Sequence, residues 1–391
     1  MALKQEKIIR FIKISVEIVL VALVIFCTLF DWNSINQYAQ YNTSSLHYVK
    51  GIVTVVDSQK LTQTEEDEAL LLGSQVLQVK IISGHQSGET VEVKNYLTRG
   101  HAIQADVGSR LIICADESEN AEIYYSVYNY DRTVGIAAIL IGFAVVMILV
   151  GRRKGLYALG SLCFSGLAIV MYAVQAAYHG GRPLVISLLT ILSISLFTFI
   201  LICDNNRKLV VSVLSAVMGI IAALLVYILF SKILNISGYN SEDVDSLVLL
   251  AKATGLSIRN LLLIPVSITA LGAVMDVTLS LASALDELRT QNKNLNKKQL
   301  IKSGMNIGKD MIGTMSNTLI LAILGENFLL LILLISYGYQ TNQLLSSDLV
   351  TVQLAQSIAA TIGVIVSVPI TTFIYAGYIY GQTSRMKPKR S

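Results

Sequence analysis

Apolar residues fall in eight long runs, and most of the segments between the runs are short and polar. An α-helix rises about 1.5 Å per residue, so about 20 residues cross a hydrocarbon core of about 30 Å. The runs of this length are residues 14–30, 133–150, 156–178, 184–203, 209–234, 258–284, 311–337 and 352–380. The pattern predicts a polytopic α-helical membrane protein with about eight transmembrane helices.

Residues 31–131 show a different pattern, in which apolar and polar residues alternate. Alternation with a period of two predicts β-strands, and Gly, Asp and Asn separate the segments. The predicted strands are residues 48–56, 74–83, 89–97, 109–115 and 122–130. The leading prediction is a small five-stranded barrel of the OB type, with an open sandwich as the alternative. We expect the tyrosines that close this domain to lie partly at the membrane interface, where tyrosine is enriched, namely Tyr124, Tyr125, Tyr128 and Tyr130.

Charge and composition narrow the class of protein further. The chain has 391 residues, of which 53% are hydrophobic and 14% are charged, values typical of a membrane protein. A net charge of +4 and the lack of a basic face argue against nucleic acid as a partner. The four cysteines are scattered and have neither a metal-ligand spacing nor a plausible disulfide pattern: Cys27, Cys114, Cys163 and Cys203.

Most basic residues fall on one side of the predicted membrane. They concentrate before the first run, in the GRRKG and DNNRK segments, in the connector 287–309 and in the tail 382–391. The positive-inside rule then places both termini in the cytoplasm and residues 31–131 on the outer side. The first run ends without a small-x-small cleavage pattern, so we expect a retained helix in residues 1–30. Residues 132–381 are then a seven-helix transmembrane domain.

Two sets of polar residues interrupt the sixth and seventh apolar runs. On a helix, Asp276, Ser280, Ser283 and Glu287 share one face, because they are spaced by three or four residues. By the same spacing the second stripe consists of Asp310, Thr314, Asn317 and Thr318. We expect the two stripes to face each other in the membrane.

These stripes allow two interpretations. Interhelical hydrogen bonds could hold the two helices together. Alternatively, the stripes line a hydrated cavity in which Asp276 binds a cation or exchanges a proton, since intramembrane carboxyl groups are commonly functional. Asp286 and Glu287 lie nearer the connector, where we expect pairing with Lys or Arg.

Two smaller features, one in the seventh run and one just before it, affect the predicted helix. Glu326, between Gly325 and Asn327, predicts either a helix broken at this point or an early end with Glu326 at the interface. Gly304 and Gly308 have a GxxxG spacing, but in a polar segment it is only weak evidence for close helix packing.

Catalytic motifs are absent from the sequence. The histidines His47, His85, His101 and His179 have neither a metal-ligand spacing nor a nucleophile as partner, and no phosphate-binding glycine loop is present. We therefore predict that the protein is not an enzyme and that it needs no cofactor and no structural metal.

Two long segments resemble a known family. GAVMDVTLSLASALDEL and SGMNIGKDMIGTMSNTLILAILGE, which contain the two polar stripes, resemble the signature region of the YibE/F family of bacterial membrane proteins. The layout is also similar, with an outer β-domain that ends in YYSVYNYDR before a block of transmembrane helices. The resemblance implies a bacterial plasma membrane and a companion YibE/F-type subunit, and it implies no settled activity.

The sequence thus supports two functional hypotheses. The first is a secondary transporter or permease component that uses a polar intramembrane site, Asp276 with Asn317. The second is a membrane scaffold that transports nothing and whose outer β-domain recruits a partner. Besides the lipid bilayer, the expected partner is the companion subunit or a second copy of the chain.

Overall fold

A computed structural model describes residues 45–63, 71–117, 122–203, 205–240 and 244–385. The predicted first transmembrane helix, Cys27 and the end of the basic tail lie outside these residues. The described residues up to Val146 belong to one compact unit, and those from Met147 onward belong to a second.

The first unit contains a closed barrel of five strands, which confirms the barrel and not the open sandwich. The strands are β1 (Leu46–Gln63), β2 (Leu71–Ile81), β3 (Thr90–Leu97), β4 (Arg110–Asp116) and β5 (Tyr124–Tyr130). Their order is β1-β2-β3-β5-β4, and β1 pairs with β4 to close the barrel. All pairs are antiparallel except β3 with β5. β1 reaches two partners because bulges after Val53 and Val56 bend it.

The alternating residues of the strands fill the barrel interior. Leu77, Val79, Val93 and Ile113 point inward and are fully buried. Two buried amides lie among them: Asn95 Nδ2 donates to Gln75 Oε1 at 3.0 Å, and Gln75 Nε2 donates to the carbonyl oxygen of Ala105 at 3.1 Å. The amides thereby fix the irregular segment between β3 and β4, whose backbone would otherwise lack buried partners.

A cluster of polar contacts joins the barrel to the helix that follows it. Asp131 caps this helix, since its Oδ1 accepts from the backbone N–H of Thr133 at 3.0 Å and from the Thr133 hydroxyl. Lys50 on β1 donates to the same hydroxyl at 3.0 Å and lies 3.6 Å from the second carboxylate oxygen of Asp131. The hydrogen bonds from Thr133, followed by the charge of Lys50, lower the pKa of Asp131 despite its burial.

Helix α1 (Thr133–Leu167) continues through a π-helical turn, Ala168–Val174, into α2 (Gln175–Tyr178). Arg152 breaks α1, with φ 49° and ψ −129°. A methyl group built on Gly155 would overlap the carbonyl oxygen of Met147. In a straight helix, residues eight apart are separated by about 12 Å, so the chain reverses direction here. This reversal favours the two separate helices that the sequence predicts around the GRRKG segment.

The remaining helices form the second unit. They are α3 (Pro183–Ile202), α4 (Asn206–Ile233), α5 (Val244–Thr254), α6 (Leu263–Gln291), α7 (Lys297–Glu326), α8 (Phe328–Ser336), α9 (Thr341–Leu345) and α10 (Asp348–Arg385). Among the described residues, five helices are long and apolar enough to cross a membrane, or six if α7 and α8 form one bent span. The helical membrane part is confirmed, and the total of eight stays a prediction.

Two predicted helix boundaries are wrong. The sixth run starts at residue 258, but α6 begins at Leu263, because the left-handed conformation of Asn260, with φ 63°, stops the helix from extending backward. The seventh run starts at residue 311, but the helix begins at Lys297, since Asn296 and Gln299 form a capping box there. The predicted connector 287–309 is therefore mostly helical.

Helices α4, α6 and α10 form the centre of the second unit. A methyl group on Gly219 of α4 would lie 2.9 Å from Val274 Cγ1 on α6 and 3.2 Å from the carbonyl oxygen of Gly363 on α10. Such contacts require glycine at both positions, because any side chain would push the backbones apart. The three helices therefore meet closely near Val274.

Candidate functional site

Helix α6 has a buried face and an exposed face. The buried face contains Val274, Val277, Leu281 and Leu285, which belong to the core of the second unit. On the other face Asp276, Ser280 and Glu287 are exposed and Ser283 is half-buried. The stripe predicted from the spacing is therefore present on α6, and it points away from the core.

Asp276 lies in the middle of α6, a helix of 29 residues. It follows Val274 by two residues, so it is close in depth to the contact with Gly219 and Gly363. In the described part of the chain, the Asp276 carboxyl group has neither a hydrogen bond nor an ion pair with another residue. A carboxyl group at the centre of an apolar helix therefore lacks a partner among the residues that the structure describes.

The second stripe is also exposed, along α7. Asp310, Thr314, Asn317 and Thr318 all lie on its exposed surface. The two threonine hydroxyls bond to their own helix: Thr314 donates to the carbonyl oxygen of Asp310 at 3.2 Å, and Thr318 donates to that of Thr314 at 2.9 Å. Such bonds satisfy the hydroxyl protons locally and leave the oxygen lone pairs free to accept from water or bind a cation.

Helix α7 contacts the bundle through residues that precede this stripe in the sequence. A methyl group on Gly304 would lie 2.8 Å from Thr372 Cγ2 on α10 and 3.0 Å from Leu285 Cδ2 on α6, and one on Gly308 would overlap Val368 Cγ1. The GxxxG pair thus marks a close helix contact. The spacing alone did not predict this contact, because the residues around the two glycines are polar.

The expected pairing of the two stripes is not seen within the described residues, where no hydrogen bond or ion pair joins α6 residues 276–283 to α7 residues 310–318. Polar groups that hold two helices together would be buried between them. Here Asp276, Ser280, Thr314 and Asn317 are exposed. The geometry argues against hydrogen bonds between the stripes as the reason for their presence, and the ion site itself stays a prediction.

Glu326 is the last residue of α7, and its side chain is exposed. Helices α7 and α8 meet at Asn327 with a bend of 56°. Asn327 Nδ2 donates to the carbonyl oxygen of Ile323 at 2.8 Å, a bond that replaces one of those lost at the helix end. The helix is therefore broken next to Glu326, and whether the two parts form one membrane span or Glu326 lies at the interface stays a prediction.

The sequence predicted only part of a polar cluster at the end of the bundle, which consists of Asp286, Lys208 and Tyr375. Asp286 accepts a hydrogen bond from the Tyr375 hydroxyl at 2.8 Å and lies 3.6 Å from Lys208 Nζ. The expected pairing of Asp286 with a basic residue is confirmed. For Glu287 it stays a prediction: among the described residues its carboxylate accepts from Gln291 Nε2 at 2.8 Å. Tyr375 was missed, since a tyrosine in an apolar run carries no sign of its partner.

Taken together, the apolar helices and the barrel define a membrane protein that carries a small all-β domain, with an exposed polar face on α6 and α7. A family model described as YibE/F-like protein matches residues 139–381. Because this match covers more than half of the chain, the protein belongs to the YibE/F-like family, and the resemblance seen in the sequence is confirmed. The match begins after the barrel. No curated protein and no solved structure matches the chain.

Proposed function

We propose that this protein is a secondary transporter or permease component in which Asp276 and Asn317 line a hydrated path through the membrane. The observation that supports the proposal is the exposed Asp276 carboxyl group at the middle of α6, which has no partner among the described residues. A charged side chain at the centre of a bilayer costs about 2.5 to 3.5 kcal/mol on insertion scales. Water, an ion or another subunit would offset this cost.

The neighbouring residues have suitable chemistry for such a path. Ser280 lies one turn from Asp276 on the same face, and Thr314 and Asn317 supply hydroxyl and amide oxygens on α7. Carboxylate, hydroxyl and amide oxygens bind hard cations and can also pass protons through water. In this proposal Asp276 holds the cation or proton, and Asn317 and the hydroxyl groups complete its coordination or hydration.

The proposal includes a second subunit, because the polar faces of α6 and α7 are exposed among the described residues. A companion YibE/F-type protein or a second copy of this chain would cover the exposed faces of α6 and α7. The protein would lie in the bacterial plasma membrane with eight crossings, with both termini in the cytoplasm and the barrel outside. Energy would come from an ion gradient or a separate subunit.

Ion flux in reconstituted liposomes tests this function. With an imposed pH gradient and with Na⁺ or K⁺ gradients, the wild-type protein should dissipate at least one gradient faster than empty liposomes. Asp276→Asn and Asn317→Ala should reduce that flux, whereas Asp245→Asn, on the exposed surface of the short helix α5, should not. If neither stripe variant changes any flux, the transport proposal is wrong.

The barrel gives a specific reason to keep the scaffold as a second candidate. It is a closed domain with its own core and an exposed tyrosine-rich surface, which is suited to contacts outside the chain. If the protein is a scaffold, deletion of residues 35–128 should abolish its cellular function while Asp276→Asn is tolerated. Under the transport proposal, Asp276→Asn alone should abolish function.

A further inference from the structure

Three basic residues gather at one end of the helical unit, and we call them the basic cluster: Arg207 and Lys208 at the start of α4, and Arg289 near the end of α6. Lys208 Nζ lies 3.6 Å from a carboxylate oxygen of Asp286, which links the two helix ends. Both arginines lie close enough to the hydroxyl of Tyr375 to interact with it electrostatically, and that hydroxyl donates to Asp286. The three cations therefore share the neighbourhood of the Asp286 carboxylate.

The basic cluster has a surplus of positive charge. Asp286 supplies one negative charge against its three cations. The surrounding segments 204–208 and 286–302 contain seven basic and three acidic residues. An anion that approaches this end of the bundle is therefore attracted.

Two members of the cluster keep hydrogen-bond donors for such an anion. The Arg207 side chain is exposed and makes no hydrogen bond or ion pair among the described residues. Arg289 Nη1 donates to the carbonyl oxygens of Lys293 and Leu295, the second at 3.2 Å, and Arg289 Cζ lies 5.5 Å from the ring centroid of Tyr380. These contacts hold the Arg289 guanidinium group in place. Since that group has five N–H donors, its other nitrogens can still bind an anion.

The basic cluster lies where the apolar parts of three helices end. The apolar run of α4 starts directly after Lys208. In α6, Leu285 is fully buried in the core, and charged residues follow it from Asp286 onward. Tyr375 of α10, which bonds to Asp286, lies five residues, or about 8 Å, before the end of its apolar run at residue 380. All three helices are long and apolar enough to cross a membrane, so the boundary between hydrocarbon and lipid head groups falls near the cluster.

The exposed face of α4 continues from the cluster as an apolar surface. Val210, Leu214 and Met218 follow Arg207 at intervals of three or four residues, so all four share one face of the helix. The three apolar side chains are 37%, 49% and 50% exposed. A cation with exposed apolar residues directly beneath it matches a lipid, whose charged head group is joined to acyl chains.

We propose that the basic cluster binds the phosphate group of an anionic phospholipid, whose acyl chains lie along the exposed face of α4. Phosphate accepts the paired hydrogen bonds that a guanidinium group donates, and basic residues between membrane helices suit anionic head groups. The proposal requires that the helices cross a membrane. It depends on neither transport nor the role of Asp276.

Thermal unfolding of the full-length protein tests this site. The purified protein is compared in mixed detergent micelles that contain equal fractions of phosphatidylglycerol, which is anionic, or of phosphatidylcholine, which is zwitterionic. The measured quantity is the difference in unfolding temperature between the two lipids for each variant, so a general destabilisation cancels. Arg207→Gln and Arg289→Gln each remove one cation of the cluster. Lys232→Gln is the matched control, because Lys232 is exposed in the last turn of the same helix, at its opposite end.

The wild-type protein should unfold several degrees higher with phosphatidylglycerol, because a ligand that binds the folded state stabilises it. Arg207→Gln should lose most of this shift, Arg207→Lys should keep part of it, and Lys232→Gln should keep all of it. Arg289→Gln should also lose most of the shift, and it decides the question if Arg207→Gln fails to fold.

Three results would overturn the proposal. The first is a wild-type protein whose unfolding temperature is the same with both lipids. The second is an equal loss of the shift in Arg207→Gln and Lys232→Gln, which indicates attraction by net charge alone. The third is an equal shift caused by inorganic phosphate in phosphatidylcholine micelles at matched ionic strength, which indicates a site for free phosphate.

Discussion

Asp286 shows at the scale of single residues how the bundle accommodates a charge. Its carboxylate bonds to the nearly fully buried Tyr375 and lies beside Lys208, so one residue of α6 ties α4 and α10 to it. A half-buried acid with two partners is stable in place, whereas removing one partner leaves part of the charge uncompensated.

Tyr375→Phe should lower the unfolding free energy of the bundle in detergent by roughly 1 kcal/mol, because it removes the hydrogen bond to Asp286 and little volume. Tyr378→Phe is the matched control on the same helix, where the structure gives the hydroxyl no partner among the described residues. Unfolding in mixed detergent micelles measures both. Equal stability of the two variants would mean that the Asp286 bond contributes nothing.

Asp131 predicts a pH dependence for the joint between the barrel and α1. Its pKa is lowered in the folded protein, chiefly by the two hydrogen bonds from Thr133. The bonds therefore stabilise the folded state above the ordinary carboxyl pKa of about 4, and this stabilisation is lost as the pH falls through the lower folded pKa. Thermal unfolding of the full-length protein between neutral and acidic pH measures the effect.

Asp131→Asn should be less stable than the wild type at neutral pH, and the difference should shrink as the pH falls through the folded pKa. Asp57→Asn is a suitable control, because Asp57 is an exposed barrel residue that, within the described structure, accepts one hydrogen bond, from Gln78, at 2.6 Å. A difference between Asp131→Asn and wild type that does not change with pH would contradict the assignment.

Residue patterns predicted the polar stripes correctly but not their surroundings. Spacing along a helix shows which side chains share a face, and Asp276, Ser280 and Glu287 do share one. It cannot show what that face meets, because that depends on which helices pack together. The buried faces of α6 and α10 meet each other, so the stripes are left exposed.

At the scale of elements, two glycines control how closely the central helices pack. Gly219→Ala or Gly363→Ala should destabilise the bundle by about 1 to 3 kcal/mol, the usual cost of overpacking. The added methyl on Gly363 would lie 2.8 Å from Ala223 Cβ and 3.0 Å from the carbonyl oxygen of Gly219. Chemical or detergent unfolding of each variant measures the loss.

Gly272→Ala provides the control for these two variants. Gly272 is on the exposed face of α6, and a methyl group there would have no neighbour within 4 Å in the described structure. Alanine also favours a helix over glycine by about 1 kcal/mol. The control should be neutral or stabilising. If all three variants behaved alike, close packing at Gly219 and Gly363 would be excluded as the cause.

Strands were predicted more accurately than helix ends. In a half-buried strand every second residue is apolar, so the sequence pattern shows where the strand lies. The five strands of the barrel are therefore within a few residues of their predicted positions, except for β1, which is longer. Apolar composition, in contrast, predicts which residues lie in the membrane and not where a helix begins or ends. Helix α7 therefore begins well before the apolar run, at the capping box of Asn296.

At the scale of the whole molecule, the protein combines a barrel with its own core and a helical unit whose described residues leave the polar faces of α6 and α7 exposed. The barrel buries a core of its own and leaves several tyrosines exposed. The helical unit leaves a carboxyl group exposed at the middle of α6, and in a membrane such a group must meet water, an ion or another protein. The central claim is that Asp276 meets water.

Labelling of single cysteines with a membrane-impermeant maleimide tests this claim most directly. In a cysteine-free background in liposomes, cysteines replace Ser280, Thr314 and Asn317 one at a time, and Asp276 is kept. Met218→Cys is the depth-matched control, since Met218 is 50% exposed and adjoins Gly219, which contacts Val274. The account predicts rapid labelling at positions 280, 314 and 317 and none at 218. No labelling at any of the four positions would contradict it.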